Sequence, residues 1–474
     1  MPSHGVFVAL AAASVSLFAA GSSAETVLGA YIFARHGDRT SKSTPPAVLT
    51  ELGYRQVVMT GQFYRDRYLA SSSQSRIQGI NGDIIRAGQV SASAPADDVL
   101  QKSATAFFQA LYPPAGNAAK SRLRNGTEIE SPMNGYQLVA IEKTGSGKNS
   151  ENLAWLQSAT KCENAKVSSA NYFNSKSFKS TLDATNDFYK SLTPMLKNTF
   201  SPDKINYKNA YALFDLLNVA SIQNSSDNFP SADPLTPQTY ARLFHLASEH
   251  QYNLAYNDSE QVRAISGSVL GGDVLAAFKG LIASKGQGTK LGVQFGAYAT
   301  FLSFFGLTEL PKFNNDFFGI PNYASAMAFE LVTNASTSSF PDPADISVRF
   351  LFNNGTILAN GRANEFPLFN QPKTVLPWAE FSSRLEKVSI TSQEQWCKVC
   401  GGGPDCGGVP LKSSSAGTGK TGGLTTVQAG VIGAMVTLAV VLGVQLLVML
   451  VAGFRFVSKA TLYRSREVSD KASA

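Results

Sequence analysis

The segment Ala34-Arg-His-Gly-Asp-Arg-Thr40 sets one imidazole, His36, between two guanidinium groups, Arg35 and Arg39. Guanidinium forks match phosphate oxygens in planar, charge-assisted pairs. Their positive field also keeps a nearby imidazole neutral, the form that can attack phosphorus. Gly37 lets the backbone approach an anion closely. These residue types at the carboxyl end of a strand suit a phosphate site; from spacing alone a surface loop is the commoner reading. The remaining histidines beyond the leader, His245 and His250, stand five apart in one helical stretch and so on different faces. They read as surface or hydrogen-bonded groups. Phe301, Phe304 and Phe305 recur at helical spacing and read as core.

The elements that must position this loop read as mixed α and β. Residues 31–34 are a short buried-strand pattern, and residues 49–69 have helical character. Asp97 or Asp98 caps a helix reaching Leu111, which Pro113-Pro114 ends. Residues 120–285 read as an inserted, mainly helical subdomain. Residues 290–295 are strand-like and 300–307 helical, while 327–332 and 346–352 pair as neighbouring strands before the Asn353-Asn-Gly355 turn. The expectation is a large α/β domain over residues 25–400, with a central mixed or parallel sheet flanked by helices.

Arg35-His36-Gly37-x-Arg39-Thr40 resembles the signature of the histidine acid phosphatases. Further elements agree in order: Leu49-Thr-x-x-Gly53 with Gln56 and Gly61, Ser103-Ala104 followed by Ala110-Leu-Tyr-Pro-Pro114, and Phe329-Glu-Leu331. The resemblance implies metal-free, cofactor-free hydrolysis of phosphate monoesters through a phosphohistidine at His36, with Arg35 and Arg39 as phosphate ligands. Two departures stand out. The family's third arginine falls on Val99, with Lys102 as the nearest cation on that helix, and its late His-Asp pair falls on Tyr298 and Ala299. A positioned general acid contributes ~10²–10⁴-fold and a charge donor about 10²–10³-fold. Tyr298, Asp38, Asp98 and Glu309 are the conceivable substitute acids. The resemblance thus implies a weakened phosphatase; the alternative is a catalytically inactive pseudo-phosphatase acting as a cell-surface binding or structural module.

The two ends of the chain, the sequons and the cysteines give the expectation that this domain lies outside the cytosol. The 474 residues carry a formal charge of +7, partly concentrated beyond residue 454 in Arg455, Lys459, Arg464, Arg466 and Lys471. The rest is too mildly basic for a nucleic-acid-binding domain. Residues 1–24 read as a signal peptide. Residues 429–454 form an apolar run of about 39 Å as a helix, enough to cross ~30 Å of hydrocarbon. The basic tail at 455–474 then faces the cytoplasm. The expected protein is single-pass type I, in the cell membrane or another secretory membrane, with its lipid partner at this one span. Residues 401–428 are a Gly/Ser-rich linker; Gly417-Thr-Gly-Lys-Thr421 within it lacks the first glycine of a phosphate-binding loop. Sequons at Asn125, Asn224, Asn257, Asn334 and Asn354 all fall on the exterior side. Cys162, Cys397, Cys400 and Cys406 form an even set suited to disulfides, with Cys162 tied to one of the other three and the partner left open.

Overall fold

A computed structural model describes residues 25–144, 161–223, 235–355, 363–402 and 406. The leader, Asn224, nearly all of the linker, the 429–454 span and the tail lie outside the described residues.

β1 (Thr26–Arg35) reads Thr-Val-Leu-Gly-Ala-Tyr-Ile-Phe-Ala-Arg and is buried almost throughout, as a strand covered on both faces must be. It lies central in a sheet of order β10-β8-β7-β1-β6-β2-β5. The members are β2 (Val90–Pro95), β5 (Glu142–Thr144), β6 (Leu291–Gly296), β7 (Ala326–Thr333), β8 (Ile346–Asn353) and β10 (Val375–Pro377). A two-residue strand, β9 (Asn364–Glu365), also pairs with β8. β3 (Lys120–Arg122) and β4 (Glu128–Glu130) make a separate exposed hairpin. β1, β6, β2 and β5 run parallel, whereas β7 pairs antiparallel with β1 and with β8. The sheet is therefore mixed, as expected.

Period-two alternation sends β1 side chains to two cores. Ile32 and Ala34 join Tyr64, Phe107 and Phe295 on one face. Tyr31 and Phe33 meet Leu270, Phe278, Phe301 and Phe304 on the other. The first face is covered by α1 (Glu51–Tyr68), capped by Thr50, and α2 (Asp98–Leu111), capped by Asp97; each cap side chain accepts a backbone N–H in the first turn.

The helical region is shorter than the expected 120–285. After α3 (Glu163–Asn171), whose Ala165 packs with Ile265 and Val269, the region's own core joins α4 (Lys176–Ala184), α5 (Ala210–Gln223) and α6 (Pro237–Ala255), with Tyr172, Phe178, Leu217 and Leu243 inside. β5 lies within the expected insertion yet extends the main sheet. α7 (Ile265–Ala283) likewise packs under that sheet through Leu270, Val274 and Phe278. Among the described residues, the helical stretch Gln261–Ala283 is long and apolar enough to cross a membrane, and most of it is buried in this core. α8 (Tyr298–Leu307) follows β6 directly, and α9 (Trp378–Glu386) and α10 (Gln393–Cys400) close the chain against the second face and α3.

Disulfides join Cys162 to Cys400 and Cys397 to Cys406. This gives Cys162 a partner from the C-terminal trio and resolves the alternatives left open by sequence.

His250 on α6 is buried inside a cage of Tyr172, Phe173, Phe178 and Tyr207, with ring centroids 5.4 to 6.4 Å away. Burial pushes its imidazole down to about 4, against the pull of the Lys208 backbone. The unfolded chain binds that proton near pH 6.5 and the folded chain does not. This share of stability is therefore complete above pH ~6.5 and lost as pH falls toward 4, by roughly 3 kcal/mol. Urea unfolding of His250→Phe at pH 7 and pH 5 should show a smaller acid loss than the parent chain; an unchanged loss would contradict the assignment.

Candidate active site

His36 follows the last residue of β1, and two glycines set the loop it begins. A Cβ on Gly37 would lie 2.2 Å from the Gly53 carbonyl oxygen, and one on Gly53 would lie 2.0 Å from that of Asp38. Gly37 is thus required by the first turn of α1, a close approach that the sequence reading did not anticipate. Gln56 Oε1 accepts from the Asp38 N–H at 2.8 Å, and Ser103 Oγ accepts from the Gly37 N–H at 3.3 Å. The elements spaced along the sequence after residue 49 therefore converge on one loop.

The His36 side chain is 4% exposed. Its Nδ1 lies 2.7 Å from the Gly37 carbonyl oxygen. A carbonyl only accepts, so Nδ1 carries the proton and Nε2 keeps a free lone pair. Burial, then the charges of Arg35 and Arg39, hold this imidazole well below its usual 6.5. A neutral, oriented ring is the form that nucleophilic catalysis requires.

The two arginines are placed differently. Arg35 points its guanidinium between the rings of Tyr298 and Tyr323, 5.2 and 4.6 Å from their centroids, and donates to the Pro321 carbonyl. Its Nε is buried and has no hydrogen-bond partner among the described residues. Arg39 closes on a carboxylate from the helical region: Nη2 donates to Asp215 Oδ1 at 2.9 Å and Nη1 to Oδ2 at 3.3 Å. Arg39 is 1% and Asp215 2% exposed. Ser41 Oγ and the Lys42 N–H also donate to Asp215 Oδ2, at 2.9 and 3.0 Å.

Tyr323 roofs this assembly, its ring 5.6 Å from that of His36. The Ala324 N–H donates to the His36 carbonyl at 2.8 Å and pins the roof in place. A cleft of about 380 Å³ opens beyond it, lined by Arg35, Tyr211, Asp215 and Tyr323 but not by His36.

Val99 is buried in the first turn of α2, and Lys102 turns outward to Asp98 at 2.8 Å, both more than half exposed. Lys102 therefore supplies no replacement charge. Tyr298 starts α8 beside Arg35, so the spacing put this position in the right neighbourhood. Its hydroxyl donates to Gln251 Oε1 at 2.7 Å, and burial with Tyr211 raises it well above a phenol's usual range. It is a poor proton donor to a leaving group. Ala299 offers no polar group at all. Glu309 is paired with Lys312 at the surface. Asp38 is fully buried and raised by burial, held by Thr50 and Gln223.

Sequence reading missed Asp215, Tyr211 and Tyr323. One signal was available: Asp215 is the lone acid in the apolar run Ala-Tyr-Ala-Leu-Phe-Asp-Leu-Leu of α5, and a buried carboxylate needs a cation. Tyr211 and Tyr323 carried none.

The family profile of the histidine phosphatase superfamily (branch 2) matches residues 41–353. The chain belongs to that superfamily. The match begins just after Arg39, so the histidine motif itself is assigned by its own pattern and geometry. Among solved structures, this superfamily member is similar to the Citrobacter braakii phytase, at TM-score 0.52 and 13% identity over 78% of this chain and 99% of that one. A Hafnia alvei phytase in complex with tartrate gives 0.50 and 13% over 80% and 98%. A Bifidobacterium longum multiple inositol polyphosphate phosphatase in complex with inositol hexasulfate gives 0.50 and 14% over 82% and 98%. At such identities the likeness is one of fold. No curated protein matches the sequence.

Proposed function

We propose that this superfamily member is a membrane-anchored, exterior-facing phosphomonoesterase of reduced power, with His36 as nucleophile. The observation that carries the reading is the bond from His36 Nδ1 to the Gly37 carbonyl, which leaves Nε2 unprotonated in a buried, cation-flanked position. Nε2 attacks phosphorus, the phosphorus–oxygen ester bond breaks, and water later hydrolyses the phosphohistidine. Arg35 is the cation placed to hold the phosphoryl oxygens. With Tyr298 and Ala299 in place of a proton donor, the leaving oxygen must depart unprotonated, which favours aryl over alkyl esters. Two disulfides fit an oxidising compartment, and exposed sequon residues Asn125, Asn334 and Asn354 suit glycosylation there. The apolar run at 429–454 supports an anchor to the lipid bilayer.

The full-length protein should hydrolyse p-nitrophenyl phosphate with kcat/KM at least ~10²-fold above glycerol phosphate. Because its imidazole resists protonation, the rate should persist at pH 5. Acid quenching should trap a phosphohistidine that His36→Ala lacks. A second reading, an inactive pseudo-phosphatase, is favoured by the Asp215 carboxylate on Arg39. Turnover no greater than that of His36→Ala, with no trapped phosphoenzyme, selects it.

A further inference from the structure

We infer that Asp215 fills the guanidinium fork of Arg39 and so tunes this site to singly charged phosphoryl groups, excluding dianions. The inference rests on the reading of the His36 loop as a phosphoryl site. A carboxylate presents two oxygens on a planar fork, as a phosphate does to an arginine. Both Nη groups of Arg39, the Ser41 hydroxyl and the Lys42 N–H already converge on Asp215. These are the donors that an incoming phosphate would otherwise claim. Asp215 comes from α5 of the helical region, and it lines the same cleft as Arg35.

Charge decides the rest. The groups facing Asp215 are Arg39 and the backbone N–H of Lys42 from the loop after β1, Arg35 on the same cleft, and the rings of Tyr211, Tyr298 and Tyr323. His36 is neutral at pH 7, and burial keeps Tyr298 and Tyr323 protonated. Arg39 and Asp215 cancel, the Lys42 side chain does not line the cleft, and among the described lining residues Arg35 is the cation. One positive charge balances a monoanion. A second negative charge within several ångströms of Asp215 meets repulsion that water screens only in part. A phosphodiester and a protonated monoester share the favoured charge. Arg39 then acts as a positioning residue that clamps α5 over the loop, and Asp215 sets anion specificity.

The test uses tetrahedral probes of fixed charge at pH 7, so that no protein group titrates. Isothermal titration of the full-length protein should show methyl sulfate binding about tenfold tighter than inorganic sulfate. Asp215→Asn should strengthen sulfate about tenfold and leave methyl sulfate nearly unchanged. Among singly charged ligands at pH 5, dimethyl phosphate against phenyl phosphate distinguishes a diester from a protonated monoester. A parent chain that prefers sulfate overturns the inference without any variant, as does an Asp215→Asn protein with the parental preference. If the charge preference appears while His36 is never phosphorylated, the anion selectivity stands and the hydrolytic reading falls. Hydrolysis through phosphohistidine with a preference for dianions does the reverse.

Discussion

Glu330→Gln should destabilise the protein by about 3–5 kcal/mol, the usual cost of removing one partner from a buried ion pair. Register explains why. Glu330 on β7 stands opposite Arg349 on β8 and opposite Ala30 on β1. Its side chain is fully buried, with Arg349 Nη2 at 2.6 Å from Oε2 and Arg67 Nε of α1 at 2.6 Å from Oε1. One carboxylate thus ties two strands to the helix whose first turn shapes the His36 loop. Gln keeps the shape and removes the charge, so Arg67 loses its carboxylate while Arg349 keeps only the more exposed Glu25 and Glu365, at 2.8 and 3.3 Å. Burial raises this carboxyl, but the hydrogen bond from Arg67 and the charges of Arg67 and Arg349 outweigh it and hold it below 4.5. Its contribution is therefore complete above pH ~4.5 and lost as the carboxyl takes up its proton below that. Denaturant unfolding at pH 7 measures the cost. The triple exchange Arg67→Met, Glu330→Leu, Arg349→Met should lose less than the single one. A single-variant loss below about 1 kcal/mol would sink this account.

Removing the Cys162–Cys400 bond should cost still more, about 5 kcal/mol from chain entropy. The cross-link spans 238 residues, and closing a loop of that length restricts the unfolded chain far more than a short one. Cys397–Cys406 spans only 9 and should contribute about 2–3 kcal/mol by the same relation. Thermal melts of Cys162→Ser/Cys400→Ser and Cys397→Ser/Cys406→Ser should rank in that order. Equal shifts would place the stabilisation in local packing around Trp396 instead.

Most of the sheet was legible in the sequence because its strands are buried on both faces. Residues 31–34, 290–295, 327–332 and 346–352 are apolar runs between turn signals, and each is a strand. β5 was not legible. It is Glu-Lys-Thr, largely exposed, and only backbone pairing with β2 makes it a strand. The start of the helical region was misjudged for that reason. Its end was misjudged because α7 has the helical period of its neighbours, and periodicity does not say which core a helix covers. At the site, His36 between its arginines could be read, and so could the acidic cap of α2, whereas the Thr50 cap of α1 was not. The partner of Arg39 could not, since Asp215 lies 176 residues away and its significance depends on tertiary contact. The same holds for Tyr323, one more aromatic in a loop until Ala324 fastens it over His36.

The strand that carries His36 is the first described element of the chain, yet both of its sheet neighbours begin after residue 290. During synthesis it leaves the ribosome well before residues 291–333, as an apolar ribbon with two open edges, a template for unwanted pairing. The nascent chain must shield it until residues 291–333 arrive. A holding chaperone in the compartment of synthesis would meet that need, and a chain that stops short of residue 333 should aggregate rather than form a smaller phosphatase fold.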